Sequence, residues 1–525
     1  MGDSVNHLHA GGVVILDFGS QYTQLIARRI REQSVFSEIL PSDTNIKIIM
    51  ERKPKALILS GGPSSVFEKN APEYDINIFD IDIPILGICY GFHLLAHHYG
   101  GKVESGTQGE YGLANIHLDQ SDSILYGVSD GTQVWMSHMD KVQELPKGWS
   151  VLAKSSNGMV AAMASVETKR YATQFHPEVA HTVEGESIIN NFLFKLACCE
   201  PNWTAGNFIN EQIETIQNHV GDGKVICGVS GGVDSSVVSA LIHKAVGSQC
   251  TSVLIDHGML RKNEASHCVS ALKDGLGVNI SSFDESEVFL SNLSGVIEPE
   301  KKRKIIGEQF IRSFEKVAAQ IGDVSFLAQG TLYPDVIESG EGVGNSAHII
   351  KSHHNVGGLP KDMNFKLVEP LRQLFKDEVR NVGRELGLPD LLINRHPFPG
   401  PGLAVRVIGE ITKTRLDMLR DADDIFIQML HQEELYHEIW QAFAVLIPVK
   451  TVGVMGDQRT YEHLLGLRAV TSSDGMTADW FRMPDEALTK ISNKIVNSVK
   501  GINRVVYDVT SKPPGTIEWL SLIHI

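Results

Sequence analysis

The chain has 525 residues, of which 42% are apolar and 21% charged. That is the composition of an ordinary globular protein, with room for about three domains. Sixty-three acidic residues against 47 basic ones leave a net charge of −16, which argues against nucleic acid or an anionic membrane as a partner.

The six cysteines are scattered, with no Cys-x-x-Cys pair. No disulfide framework is expected, and the chain reads as that of a reducing, cytoplasmic compartment. The first dozen residues are polar and lack the apolar core of a signal segment. Gly2 follows Met1, but Asn6 stands where a myristoylation signal needs Ser or Thr. The apolar run at 442–449 is too short to span a bilayer.

In chain order, residues 13–16, 56–59 and 83–88 read as short buried strands. Residues 22–32 and the stretch from Phe92 read as helices. This alternation predicts an α/β domain over 12–200 with a mostly parallel sheet and sites at the strand C-termini. Gly87-Ile88-Cys89-Tyr90-Gly91 has the form glycine-x-nucleophile-x-glycine. A strained strand-to-helix elbow needs small residues on both sides, and it lifts the side chain out of the sheet. A thiol at a helix N-terminus is the better nucleophile because its anion is favoured there. Gln174-Phe175-His176-Pro177-Glu178 follows 87 residues after the cysteine, counted to His176. Its imidazole can take the thiol proton, and its carboxylate can hold the second ring nitrogen. A lone buried cysteine is usually structural, and a lone His-Pro-Glu is a surface turn.

Together the two segments resemble the class I glutamine amidotransferases. That resemblance implies that Cys89 attacks the glutamine side-chain amide, that His176 is base and then acid, and that Glu178 orients it. It also implies an oxyanion site at the backbone N–H groups of Tyr90 and the Gly61-Gly62 loop, with Ser137 and His138 touching the backbone groups of glutamine. One position departs from the family. A Gln usually stands four residues after the nucleophile, and here it is His93, with a different shape and the capacity to be charged. His97 and His98 read as packed or solvated side chains, since nothing completes a metal ligand set.

Helical spacing over 204–220 leads to an apolar strand at 225–229, the loop Ser230-Gly231-Gly232-Val233-Asp234-Ser235-Ser236, and a helix. Two glycines let successive N–H groups converge, and the helix dipole adds to their attraction for an anion. The bland alternative is a serine-rich turn that caps a helix. The loop lacks the lysine of a Walker A motif, and Asp234 points to a Mg²⁺-linked pyrophosphate instead. It resembles the PP-loop of the ATP pyrophosphatases, which cleave ATP between its α- and β-phosphates and adenylate a substrate. Residues 204–395 are therefore read as a PP-loop domain.

Residues 251–255 and 326–335 read as its second and third strands, the latter with a turn. Asp335 and Glu338 are suited to Mg²⁺ or ribose. Lys301-Lys302-Arg303-Lys304 opens a helix running to 319, and is either a solvated basic patch or a phosphate contact. His353 and His354 begin a glycine-rich segment, 353–360, with the composition of a lid. Lys376 is either a helix-surface charge or a group that stabilises departing pyrophosphate.

Three prolines within 397–401 exclude helix and central strand, so 395–402 reads as a stiff boundary. Strands at 450–455, 467–471 and 504–509, with a helix at 484–499, predict an α+β module over 396–519. With Gly456-Asp457-Gln458-Arg459 and Lys512-Pro513-Pro514-Gly515-Thr516-Ile517-Glu518-Trp519, the chain resembles the bacterial-type glutamine-hydrolysing GMP synthases over nearly its whole length. The resemblance implies a class I amidotransferase α/β domain, a PP-loop α/β domain and a C-terminal dimerisation domain. It implies a homodimeric ligase that takes ATP, XMP, glutamine and Mg²⁺ and forms GMP through adenyl-XMP. Arg303, Asp457, Lys512 and Glu518 would contact XMP, and the segment 353–360 would be the lid. The family ends on Glu directly after the Trp, so 520–525 reads as a non-native tail. Two alternatives stay open. One is another PP-loop amidotransferase, such as an NAD synthetase, against which the Lys-Pro-Pro segment argues. The other is a regulatory protein without turnover, against which the complete triad and loop argue.

Overall fold

The computed structural model describes residues 11–105, 109–322, 324–338, 365–455, 457–472 and 477–520. The chain divides into two compact units, with the boundary between Glu211 and Gln212.

The first unit is built on a nine-stranded sheet. Its order is Ser37–Pro41, Val13–Asp17, Ala56–Leu59, Ile85–Ile88, Arg170–Thr173, Val160–Ser165, Ser150–Ser155, Glu110–Leu118 and Gln133–His138. The first five strands are parallel. The rest pair antiparallel, so the expected mostly parallel sheet is parallel in only one half. The reason lies in the connections. A parallel crossover needs a dozen or more residues and usually a helix, and between Val160–Ser165 and Arg170–Thr173 there is only a short turn. Ala56–Leu59 and Ile85–Ile88 are buried at every position, as strands covered on both faces must be. Helix Thr23–Glu32 buries Ile26, Ala27 and Ile30 along one stripe and carries Arg29 and Arg31 in its last turn, where the dipole favours them. The helix expected from Phe92 begins earlier, at Tyr90, directly behind the nucleophile.

The second unit holds a five-stranded, all-parallel sheet. Its order is Ile280–Asp284, Cys250–Asp256, Val225–Val229, Phe326–Ala328 and Lys366–Val368. The chain works outward on one side and then returns to the other, so Val225–Val229 lies at the switch point, where α/β sheets bind ligands. Further on, Gln441–Met455 and Gln458–Thr471 form a long hairpin, and Ile502–Tyr507 joins it in parallel. The expected strands at 450–455 and 467–471 are only the outer parts of this hairpin. The apolar run that precedes them is strand too. Ala442, Ala444 and Leu446 enter the main core, whereas Phe443 and Val445 enter a second cluster with Val470 and Ile517. Burial on both faces removes the polar alternation that marks a strand in sequence. The main core runs without a break from Ile226 and Val253 to Leu465 and Ile502, so the 395/396 boundary is not a gap in packing. Among the described residues no helix is long and apolar enough to cross a membrane.

Candidate functional site

Cys89 caps helix Tyr90–His98 at φ 53° and ψ −97°, a region that costs a non-glycine residue about 1–3 kcal/mol. The two flanking glycines are required. A Cβ on Gly87 would lie 2.4 Å from the carbonyl oxygen of Gly91, and one on Gly91 would lie 2.4 Å from that of Leu59. The Cys89 N–H donates to the Thr173 carbonyl at 2.9 Å, which ties the elbow to the neighbouring strand. Its Sγ lies 3.5 Å from the Ser137 carbonyl.

His176 is buried and directs Nδ1 to Glu178 Oε1 at 2.7 Å. The backbone around the pair is fixed by His176 N–H to the Trp135 carbonyl, Thr182 Oγ1 to the His176 carbonyl, and Arg29 Nε to the Glu178 carbonyl. Burial alone would lower the pKa of His176. The Glu178 carboxylate and the Cys89 thiol outweigh it and hold the imidazole well above its usual range. A proton taken from the Cys89 thiol is therefore stable on this ring, as nucleophilic catalysis requires. Gly61 approaches from the other side, where a Cβ would lie 3.2 Å from His176 Cε1. A Cβ on Gly62 would lie 2.5 Å from the Phe18 carbonyl oxygen. Tyr90 begins the helix, buried, with its hydroxyl pushed up to about 12 by burial. Its ring packs against Phe18.

His93 is not the charged group that its residue type allows. It lies buried one turn after Cys89, and Nε2 donates to Gln174 Oε1 at 2.7 Å. Burial lowers its pKa to about 4, so the ring is neutral. His138 sits behind Ser137 with Nδ1 2.9 Å from the Asp140 carbonyl and Nε2 3.3 Å from Glu110 Oε2. Glu110 is buried and also accepts from Ser155 Oγ and Asn157 Nδ2. Gln174 and Glu110 were not legible as site residues. Each acts through a partner 28 or more positions away, and no local motif marks such a pair.

In the second unit the loop 230–236 joins strand Val225–Val229 to helix Val233–Val246. Gly231 takes φ +78°, which glycine alone adopts freely. Hydroxyls hold the turn. Ser235 Oγ accepts from the Ser230 N–H at 3.1 Å, and Ser236 Oγ donates to the Gly232 carbonyl at 2.8 Å. Asp234 stands in the first turn of the helix, and Lys376 Nζ meets its Oδ2 at 2.5 Å. The lysine expected either on a surface or at the pyrophosphate is thus beside the loop.

The remaining predicted residues are dispersed. Asp335 accepts the Leu332 N–H at 2.9 Å, and Glu338 closes helix Tyr333–Glu338. His353, His354 and the lid segment lie outside the described residues. Arg303 forks onto Glu300 at 2.9 and 2.7 Å. Asp457 occupies the exposed tip of the long hairpin at φ 63°. Lys512 exchanges backbone hydrogen bonds with Ala478. Glu518, expected at XMP, is buried and bound by Arg406 at 3.2 and 2.7 Å and by Gln441 at 2.7 Å. Beside it runs a groove of about 520 Å³, lined by residues including Tyr507, Asp508, Thr516 and Trp519.

A cysteine amidase in one unit and a lysine-free phosphate loop in the other define a class, the glutamine-dependent ligases that use ATP. Comparison with known families agrees unit by unit. Residues 14–196 match the class-I glutamine amidotransferases, 205–311 match NAD synthase, and 428–519 match the C-terminal domain of GMP synthase. The glutamine-hydrolysing GMP synthase of Caldicellulosiruptor saccharolyticus is 54% identical over 97% of this chain and 99% of its own. That of Chlorobaculum tepidum is 55% identical over 97% and 98%, and that of Clostridium perfringens 52% over 97% and 99%. The chain belongs to the glutamine-hydrolysing GMP synthases.

Proposed function

We propose that this enzyme makes GMP from XMP, ATP and glutamine in two coupled reactions, one in each unit. In the first, the Cys89 thiolate adds to the glutamine side-chain amide, and His176 gives the leaving nitrogen its proton. Ammonia departs and a thioester remains. Water, deprotonated by His176, then releases glutamate and restores the thiol. Glu178 keeps the imidazole in register throughout, and backbone N–H groups at Tyr90 and the Gly61-Gly62 loop steady the oxyanion. Ser137 and His138 bind the backbone end of glutamine, with Glu110 behind them.

In the second unit the C2 oxygen of XMP attacks the α-phosphorus of ATP and pyrophosphate leaves. This converts an oxygen that departs poorly into AMP, which departs well. Ammonia adds at C2, AMP is expelled and GMP remains. The loop 230–236 holds the pyrophosphate, with Lys376 beside it. Arg303, Asp457, Lys512 and Glu518 are the groups we assign to XMP, with Glu518 held in place by Arg406.

Mg²⁺ fits the loop through Asp234, whose Oδ1 is buried without a hydrogen-bond partner among the described residues. No cluster of three or more acidic, His or Cys side chains suited to a metal occurs among those residues, so phosphate oxygens and water would supply the other ligands. Bound there, the ion would neutralise charge on the pyrophosphate. A homodimer is supported by the apolar outer face of the hairpin, where Val452, Val454 and Tyr461 are all more than half exposed. The six cysteines are free, which favours a reducing, cytoplasmic setting for the enzyme.

The single observation that carries the reading is the lysine-free glycine loop at the switch point, with Asp234 in the first helical turn. An acceptor screen with ammonium and ATP tests it. AMP release is expected with XMP and not with nicotinate adenine dinucleotide. The reverse result would make the chain an NAD synthetase.

A further inference from the structure

The proline-rich segment at 395–402 has no part in the reactions above, yet its first residue reaches the phosphate loop. Arg395 Nη1 donates to the Gly231 carbonyl at 2.5 Å, and Nη2 lies 2.6 Å from Glu264 Oε1. Both side chains are largely buried, at 13% and 8% exposure. The other oxygen of Glu264 accepts the Arg261 N–H at 2.8 Å, which fixes the carboxylate at the start of helix Glu264–Leu276. Behind Arg395 stands the ring of Phe398. The guanidinium carbons of Arg395, Arg261 and Arg406 lie 5.6, 4.8 and 5.0 Å from its centroid. Arg261 is in turn held by Asp423 at 3.1 Å and Arg406 by Glu518 at 2.7 Å.

Gly231 is the one residue of 230–236 with a positive φ. The peptide after it carries the Gly231 carbonyl on one edge and the Gly232 N–H on the other, pointing opposite ways. With the carbonyl turned away from the anion, the N–H stands on the opposite edge, where it donates to Ser230 Oγ at 3.4 Å. If this peptide flips, which two adjacent glycines make easy, an oxygen points into the anion site and repels phosphate. A Cβ on Gly231 would stand 3.0 Å from Glu264 Oε1 and 3.4 Å from Arg395 Nη1, so the glycine rests directly on the pair.

We propose that Arg395 is a positioning residue for the phosphate loop: it grips the Gly231 carbonyl and keeps the Gly232 N–H directed at the pyrophosphate of ATP, and Glu264 with Phe398 holds it there. One terminal nitrogen is bonded to the Gly231 carbonyl and the other is paired with Glu264, so the role assigned to it is on the loop and not on phosphate. This rests on reading 230–236 as the pyrophosphate site.

The test is ammonia-dependent synthesis by the full chain at saturating XMP, with ATP varied. Losing a charge-assisted hydrogen bond is expected to raise KM for ATP about tenfold in Arg395→Lys, with kcat within about twofold. Lysine keeps the charge but lacks the fork that spans both partners. Glu264→Gln should shift KM in the same direction by a smaller factor. The double variant should be no worse than Arg395→Lys alone, because both act through one contact. Unchanged XMP affinity and thermal midpoint identify folded variants, and if Arg395→Lys does not fold, Glu264→Gln carries the test. An unchanged KM in both single variants overturns the proposal. So does a lowered KM in Glu264→Gln, or additive effects, since either means that Arg395 touches phosphate directly. Gly231→Ala separates the underlying reading: if it leaves KM for ATP unchanged, the loop is not the pyrophosphate site. If it raises KM while Arg395→Lys does not, only the positioning role fails.

Discussion

Lys376 Nζ and Asp234 Oδ2 lie 2.5 Å apart although 142 positions separate them in the chain. The ammonium comes from the first residue of helix Lys376–Glu385 and the carboxylate from the first turn of the loop helix. The pair brings a cation to a loop that carries none of its own. Replacing Lys376 with Met should lower kcat for ammonia-dependent synthesis about 10²-fold, the usual effect of removing one group that stabilises developing charge. The thermal midpoint should hardly move, because the lysine side chain is 48% exposed and such pairs contribute little to stability. Steady-state kinetics and a thermal melt check both. An unchanged kcat would return Lys376 to the role of a surface charge.

Cys89→Ala should abolish glutamine-dependent synthesis and leave the ammonia-dependent rate intact, because the segment matching the class-I amidotransferases and the phosphate loop lie in separate units. Measuring GMP formation with each nitrogen source decides it. Loss of both rates would contradict the division of labour.

Glu178→Gln keeps the shape of the side chain but removes the charge that holds His176 above its usual pKa. The glutamine-dependent rate should fall by about 10²–10⁴, as when the orienting acid of a triad is made neutral, while the ammonia-dependent rate stays within about twofold. A glutaminase rate within tenfold of the parent would remove Glu178 from the machinery.

His93 gives a prediction in pH. Its pKa is lowered by burial to about 4, so between that value and the ordinary value near 6.5 the unfolded chain binds a proton that the folded chain does not. The stability contributed by the neutral ring is complete above about pH 6.5 and is lost as pH falls toward 4. Between pH 7 and pH 5 the loss is about 2 kcal/mol. In His93→Gln this component should vanish, so denaturation of parent and variant at the two pH values should show a shallower decline in the variant. Equal declines would mean that His93 is not held neutral.

What the sequence revealed and what it hid follow one physical division. The elbow at Cys89, the His176-Pro177-Glu178 turn and the loop at 230–236 were legible because each packs its chemistry into a few consecutive residues with fixed backbone demands. The parallel half of the first sheet was legible for the same reason, since each crossover leaves a local strand–helix alternation. The pairs that steady those motifs were not. Arg395 with Gly231, Arg406 with Glu518 and His138 with Glu110 are joined across 164, 112 and 28 positions, and only the tertiary fold brings them together. The strand through 442–447 was hidden for a different reason. Burial on both faces removes the polar alternation by which a strand is recognised.

The central claim is that the loop at 230–236 holds ATP for cleavage between its α- and β-phosphates. The most direct measurement is to incubate the purified full chain with XMP, ammonium, magnesium and ATP, and to resolve the nucleotide and phosphate products by ion-exchange chromatography. The account predicts AMP and pyrophosphate, each in step with GMP. ADP and orthophosphate in their place would contradict it.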